Sequence, residues 1–316
     1  MRPCFFLSLR WIMIRPMTDA TNPAMSVLLV TYNHAKYVAQ ALDSILMQRT
    51  DFDFEIVAVD DCSDDSTLSI LKEYESQHVQ LRVLPADTNF GISRNYQRGF
   101  AACRGEYIAV LEGDDYWISP RKLQAMSAFL NRNPHCSFCF HRIIRYDQHP
   151  EKVAVYPAHW TAEQILTANE LAGGNFIGGM STSVYRREII AALKPQVWQL
   201  DIREWLFNLV VAEHGPIGYV PQILSVYRAH PEGIWSLKPP SAKVPELLRL
   251  IDCYDEFLGF RFTKELQAFR QTLAPGLTIK PSNWRVRIWI AYWRARIWIA
   301  SRLPARVKRI LKQFVR

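Results

Sequence analysis

The stretch that most constrains this chain is a short apolar run that ends in acids. Glu106-Tyr-Ile-Ala-Val-Leu111 reads as a strand, and Glu112, Asp114 and Asp115 follow it directly. A strand that ends in carboxylates delivers them to one edge of a sheet, and in open α/β sheets that edge is where ligands bind. Carboxylates this close repel one another unless a cation gathers them. Oxygen ligands suit Mg²⁺ or Mn²⁺, which can also bind phosphate oxygens. A solvated acidic turn that caps a helix is the simpler alternative, and the neighbouring stretches decide between the two.

With 316 residues the chain can bury a sizeable core, in one large domain or two. Its net charge of +8 is unevenly spread: no Asp or Glu follows Glu265, and 11 basic residues lie between Lys280 and Arg316. The rest of the chain is slightly acidic, so the basicity belongs to a tail and not to the fold. The cysteines have no disulfide-framework spacing, and a reducing compartment fits them. Cys136-Ser-Phe-Cys139 has the spacing of half a zinc site, but no second pair follows and the run reads as a buried strand. The apolar pieces within the first sixteen residues are too short and interrupted to span a membrane and lack a clear cleavage site. Residues 1–24 are therefore expected to be a disordered or spurious extension, with Met17 or Met25 as candidate starts.

Strand-like and helix-like runs alternate from there on. Apolar runs at 27–30, 54–59, 79–84 and 106–111 predict strands, and 136–144 predicts another. Helical spacing follows each of the first four, with Ser63 or Asp64 as a cap for the second helix and Ser119-Pro120 as the start of the fourth. Short links between alternating elements argue for right-handed βαβ units and a mostly parallel sheet. Polar groups stand at three strand ends: Tyr32 with Asn33, Asp60 with Asp61, and Glu112 to Asp115. The turn after the first strand, Thr31-Tyr-Asn-His-Ala-Lys-Tyr37, contains no glycine, which excludes both a dinucleotide fingerprint and a P-loop.

Five stretches, in order over residues 25–235, resemble glycosyltransferase family 2, inverting enzymes of the GT-A fold. They are Val-Thr-Tyr-Asn at 30–33, Val-Asp-Asp-Cys-Ser-Asp-Asp-Ser-Thr at 59–67, Asn-Phe-Gly-Ile-Ser-Arg-Asn at 89–95, residues 104–117 around the acids, and Tyr-Arg-Ala-His at 227–230. The resemblance implies a GT-A domain over 25–235, with a nucleotide half (25–145) and an acceptor half (146–235), followed by a helical, basic region (236–316). It implies that Thr31, Tyr32, Asn33, Asp61, Asn89 and Arg94 hold the nucleotide, Tyr32 by stacking and Asp61 by hydrogen bonding. Glu112 stands where the family's Asp-x-Asp motif usually begins with Asp, on the ribose side. Asp114 and Asp115 match the metal-binding part, Asp114 foremost, and His230 is a further candidate for metal or phosphate.

Inverting transfer needs a carboxylate that takes the acceptor's proton. The resemblance puts Glu204 in that position, ahead of Gly215-Pro-Ile-Gly-Tyr219, with Asp201 as the fallback; two acids that merely favour a helix N-terminus are the plainer reading. The glycine-dense loop 173–179 fits an acceptor cleft or a plain turn. In the tail, Trp284 to Ser301 holds a nine-residue repeat rich in Trp and Arg, and Val307, Ile310, Leu311, Phe314 and Val315 form one apolar face. Such a tail suits an anionic membrane surface, whereas nucleic acid is not expected without a recognisable module. The expectation is a transferase at the cytoplasmic face of the membrane, using a nucleotide diphosphate-sugar donor and a glycan or lipid-linked acceptor in surface-polysaccharide synthesis. Its rival is a membrane-associated nucleotide- or glycan-binding module that has lost catalysis, favoured by Glu112.

Overall fold

Four apolar runs build the parallel part of a central sheet. They are β1 (Met25–Thr31), β2 (Phe54–Asp60), β3 (Leu81–Leu84) and β4 (Tyr107–Glu112), linked by α1 (Val38–Leu46), α2 (Thr67–Gln77) and α3 (Ile92–Ala102). Their order is β3-β2-β1-β4, and all three pairings are parallel. β1 is buried along its whole length because both faces are covered. Val27 and Leu29 pack with Val38, Leu42 and Ile45 of α1, while Leu28 and Val30 pack with Tyr96 and Phe100 on the other face. The computed structural model describes residues 22–273, except 149, 150, 234, 236 and 237.

The second half follows a different rule. β5 (Tyr116–Trp117), α4 (Lys122–Arg132), β6 (Phe138–Gln148), β7 (Glu151–Tyr156), β8 (Gln164–Leu166) and α5 (Ala168–Ala172) lead to β9 (Ser183–Arg186). α6 (Arg187–Ala192), α7 (Glu204–Val211), β10 (Ile217–Ala229), α8 (Pro240–Phe257) and α9 (Thr263–Leu273) complete the described chain. β9 inserts antiparallel between β4 and β6, so the order continues β4-β9-β6-β10-β5. β6 and β10 are parallel, but β7, β8 and β5 join antiparallel. The sheet is thus parallel in its first half and mixed beyond β4.

Several element starts differ from the sequence expectation. α2 begins at Thr67, whose N–H bonds to Asp65 Oδ1 at 2.9 Å. Ser63 caps nothing there, because its hydroxyl donates to Asp60 at 2.6 Å and accepts from the Asn33 N–H at 2.9 Å. α4 begins at Lys122, not at Pro120, since Ser119 and Pro120 form a turn before it. β3 begins two residues after Val79, which is fully exposed.

α8 and α9 close over α7. Leu250, Ile251, Tyr254, Leu258, Phe262 and Leu266 are buried with Trp205, Leu206 and Leu209 in one core. The Trp205 and Phe269 rings meet at 4.6 Å, edge to face. Among the described residues no helix is long and apolar enough to cross a membrane. The Trp-Arg repeat and the basic tail from Lys280 lie outside the described residues.

Candidate active site

The C-terminal ends of the parallel strands open into a cleft of about 1040 Å³, and Thr31, Tyr32, Asn33, Asp61 and Asn89 line one end of it. Backbone geometry at the strand ends is set by short polar ties. The Thr31 hydroxyl donates to Asp60 at 2.9 Å, and Asp60 also holds the Ser63 N–H at 2.9 Å. Asn33 takes a left-handed φ of 56°, and its amide oxygen accepts from the Asp64 N–H at 3.0 Å. Asp61 accepts from the N–H groups of Phe90 and Gly91, at 2.8 and 2.9 Å, which fixes the turn into α3. Asn89 supports the same turn, its side-chain oxygen 3.0 Å from the Gly91 N–H. Tyr32 remains 39% exposed, so its ring is open to the cleft. Arg94 does not join this group. Asn95, Tyr96, Gly99 and Phe100 face the sheet, which leaves Arg94 exposed on the outer side of α3.

The acidic cluster divides between two environments. Asp114 faces the cleft, with His230 Nε2 at 3.2 Å and His34 Nε2 at 3.7 Å from its Oδ2. Burial works against its charge, but the two imidazoles outweigh this and hold the carboxyl below its usual range. Asp115 turns inward and is withdrawn from the expected metal set. Its oxygens accept from the Ser181 hydroxyl at 2.6 Å and from the Arg228 N–H at 2.9 Å. Burial, then Asp114 and Glu112, push the Asp115 carboxyl well up. Asp115 therefore ties the end of β10 to the end of β4, and this tie brings His230 opposite Asp114. The Arg228 guanidinium reinforces it, 4.5 Å from the Tyr37 ring and 5.0 Å from Tyr116, while Tyr37 packs on His230 at 4.6 Å.

Glu112 lines the cleft between Asp114 and the far end. Tyr96 donates to its Oε1 at 2.9 Å. Burial, with Asp114 nearby, pushes the Glu112 carboxyl up to about 8. At the far end Glu204 is the first residue of α7, and Asn175 Nδ2 donates to its Oε1 at 2.9 Å. Burial pushes the Glu204 carboxyl up, opposed by its own helix N–H and by the Asn175 bond. Asp201 also lines the cleft but is held by Arg203, at 3.1 Å, and by Arg249 at 3.5 Å. The loop 173–179 contributes Asn175, Gly178 and Gly179 to the same wall.

A family model for glycosyl transferase family 2 matches residues 26–193. This chain belongs to glycosyl transferase family 2. The uncharacterized protein Rv1520 of Mycobacterium tuberculosis is 36% identical over 218 residues, which are 67% of this chain and 60% of that relative. The chain thus spans less than two thirds of that relative's length. The putative teichuronic acid biosynthesis glycosyltransferase TuaG of Bacillus subtilis is 26% identical over 224 residues, 70% of this chain and 85% of TuaG. In structure, Staphylococcus aureus TarS in complex with UDP-GlcNAc matches 81% of this chain and 76% of that one, with a TM-score of 0.59 and 23% identity. The fold is therefore the GT-A type that the motifs imply.

Within this family 2 domain, the Asp114 carboxylate is an oxygen ligand that suits a hard divalent cation in an open site. His34 and His230 stand beside it, and the other positions would be left to phosphate oxygens. Both His34 and His230 have a buried Nδ1 without a partner among the described residues. No three His, Cys, Asp or Glu side chains enclose an ion among those residues, so a cation here would depend on its substrate for further ligands. His34 was missed by sequence reasoning, although it directly follows Tyr32 and Asn33. Its place is set by Gly113, where a Cβ would come within 2.7 Å of both His34 Nδ1 and Thr31 Cγ2. Asn175 was also missed, and only its position inside the glycine-dense loop hinted at it.

Proposed function

We propose that the protein is an inverting, metal-dependent glycosyltransferase. It moves a sugar from a nucleotide diphosphate-sugar, in the first instance a UDP-sugar, to a glycan or lipid-linked acceptor. The observation that carries this reading is a cleft with an open Tyr32 beside the buried Asp61 carboxylate at one end, Asp114 between two imidazoles, and Glu204 at the other end. Tyr32 stacks on the base and Asp61 accepts from it, with Thr31, Asn33 and Asn89 shaping that end. Asp114, with His34 and His230 beside it, would hold Mn²⁺ or Mg²⁺, and the chemistry such a cation would supply is neutralisation of charge on the leaving diphosphate. Glu204 takes the proton of the acceptor hydroxyl while that oxygen bonds to the anomeric carbon. The bond from that carbon to the diphosphate breaks, and its electron pair leaves on the phosphate oxygen.

The uridine assignment draws on the TarS complex with UDP-GlcNAc, and surface-polysaccharide synthesis draws on the name of TuaG. The transferase motifs fall within residues 25–235 in this reading, and α8 and α9 pack onto the same core. The basic tail rests on anionic lipid at the cytoplasmic face, because clustered Lys and Arg with Trp bind such surfaces.

Isothermal titration of UDP into the protein, with and without Mn²⁺, tests the site beside Asp114→Asn. Metal-dependent binding that the substitution abolishes is expected. Metal-independent binding with no turnover of any UDP-sugar would support the degenerate binding module instead, and a folded protein that binds no UDP would remove the uridine assignment.

A further inference from the structure

Tyr156 is the last residue of β7 and stands beside Glu204. Its hydroxyl donates to the Asn175 carbonyl, and Asn175 in turn holds the Glu204 carboxylate. The side-chain oxygen of Asn175 accepts from the Ile177 N–H at 3.0 Å, so the amide is fixed with its nitrogen toward Glu204. Burial, and then the Glu204 charge, push the Tyr156 phenol up, which agrees with their closeness. One side of the ring rests on Gly178, where a Cβ would lie 3.0 Å from Tyr156 Cδ1. Gly178 has a φ of 86°, a conformation that favours glycine, so the backbone both permits and requires the close approach. The ring is nevertheless 36% exposed and lines the cleft. An aromatic ring fixed at its hydroxyl, backed on one side and open on the other is a stacking surface.

We propose that Tyr156 is the platform on which a pyranose ring of the acceptor stacks, with Asn175 as the positioning residue that couples this platform to Glu204. The proposal rests on Glu204 being the base, as above. In an in-line displacement the base lies across the reacting carbon from the leaving diphosphate, so a ring seated beside Glu204 belongs to the acceptor and not to the donor. The negative face of an aromatic ring attracts the weakly positive C–H groups on the flat side of a pyranose, and such contacts also remove apolar area from water. An open-chain polyol presents no such flat face. The acceptor class is therefore a cyclic sugar at its reacting end.

Saturation-transfer NMR on the UDP-loaded full chain tests this, using the methyl β-pyranosides of glucose, galactose and N-acetylglucosamine beside ribitol 5-phosphate. At least one pyranoside is expected to bind through its C–H face. Tyr156→Ala should raise that Kd about three- to tenfold, whereas Tyr156→Phe, which keeps the ring, should change it less than about twofold. Thermal unfolding of each variant checks that it is folded. In turnover with the same acceptor, Asn175→Ala should lower kcat and move the acid limb of the pH profile upward with little change in KM, which a merely structural role would not do. Ribitol 5-phosphate binding in place of every pyranoside, or a pyranoside Kd that ignores Tyr156→Ala, overturns the proposal. Loss of UDP binding in the wild type instead overturns the donor reading, so the two failures are distinguishable.

Discussion

Asp114 and Asp115 are neighbours with opposite tasks. Asp114 meets two imidazoles in the cleft, while Asp115 accepts from Ser181 and from the Arg228 backbone. Asp115→Ala leaves two buried donors without their acceptor and is expected to lower stability by about 1–3 kcal/mol, measured by urea unfolding. Asp114→Asn should leave the melting midpoint close to that of the wild type yet lower kcat by roughly 10²-fold or more, since it removes charge where the diphosphate is held. Glu204 has a pH signature. Burial raises its carboxyl, and a base must be ionised, so kcat/KM should rise with pH through a midpoint above the ordinary Glu value of 4.5. The stability sign is opposite: a raised acid favours the protonated folded form, so its contribution is full below the unfolded pKa and lost as pH rises through the folded one. Glu204→Gln should flatten that slope and lower kcat by about 10²–10⁴-fold. At this scale the sequence was legible where residues of one turn act together, as Thr31, Tyr32 and Asn33 do. It ranked Asp114 ahead of Asp115 but kept both as metal ligands, because the inward turn of Asp115 depends on Arg228, more than a hundred residues away. Arg94 failed for a related reason: the motif names the helix start, but the packing of Asn95 and Tyr96 decides which side Arg94 faces.

At the scale of elements, the parallel strands were readable because they are buried on both faces and so are apolar without interruption. The place of β9 as the antiparallel joint between β4 and β6 was not readable, since local pattern carries no information about a partner far along the chain. That joint matters to the site. It brings Ser181 to the end of β4, where its hydroxyl accepts from the Glu112 N–H at 3.1 Å and donates to Asp115. The turn after β4 is equally constrained from the β1 side. Gly113→Ala would set a methyl group between His34 and Thr31, each 2.7 Å away. Overpacking there is expected to cost about 1–3 kcal/mol in urea unfolding. Because the wedge pushes His34 from Asp114, it should also weaken UDP binding in Mn²⁺ more than in its absence. Equal weakening in both conditions would mean that the turn shapes the nucleotide end alone.

The whole molecule joins the site to a C-terminal region whose two parts are expected to separate experimentally. α8 and α9 bury Leu250, Tyr254, Leu258 and Leu266 against the helix that begins with Glu204, so they belong to the same packed core. Trp205 is the hinge of that packing, with its indole N–H donating to the Leu171 carbonyl at 2.6 Å and its ring on Phe269. Truncating a buried Trp to Ala costs about 3–5 kcal/mol, and Trp205→Ala should reach that range while disordering the base next to it, lowering kcat as well as stability. Beyond Leu273 the chemistry changes: the 11 basic residues from Lys280 onward have no acid among them. A chain ended after Leu273 keeps every described contact of the cleft. It is expected to retain the melting midpoint and the Mn²⁺-dependent UDP affinity of the full chain. It should lose sedimentation with phosphatidylglycerol vesicles, while neither form should sediment with phosphatidylcholine vesicles, because the attraction is to surface charge. High salt should release the full chain in the same assay, as the Debye length falls to about 3 Å at 1 M. Vesicle binding that survives the truncation would move the membrane contact onto the folded domain and leave the basic tail to a partner protein.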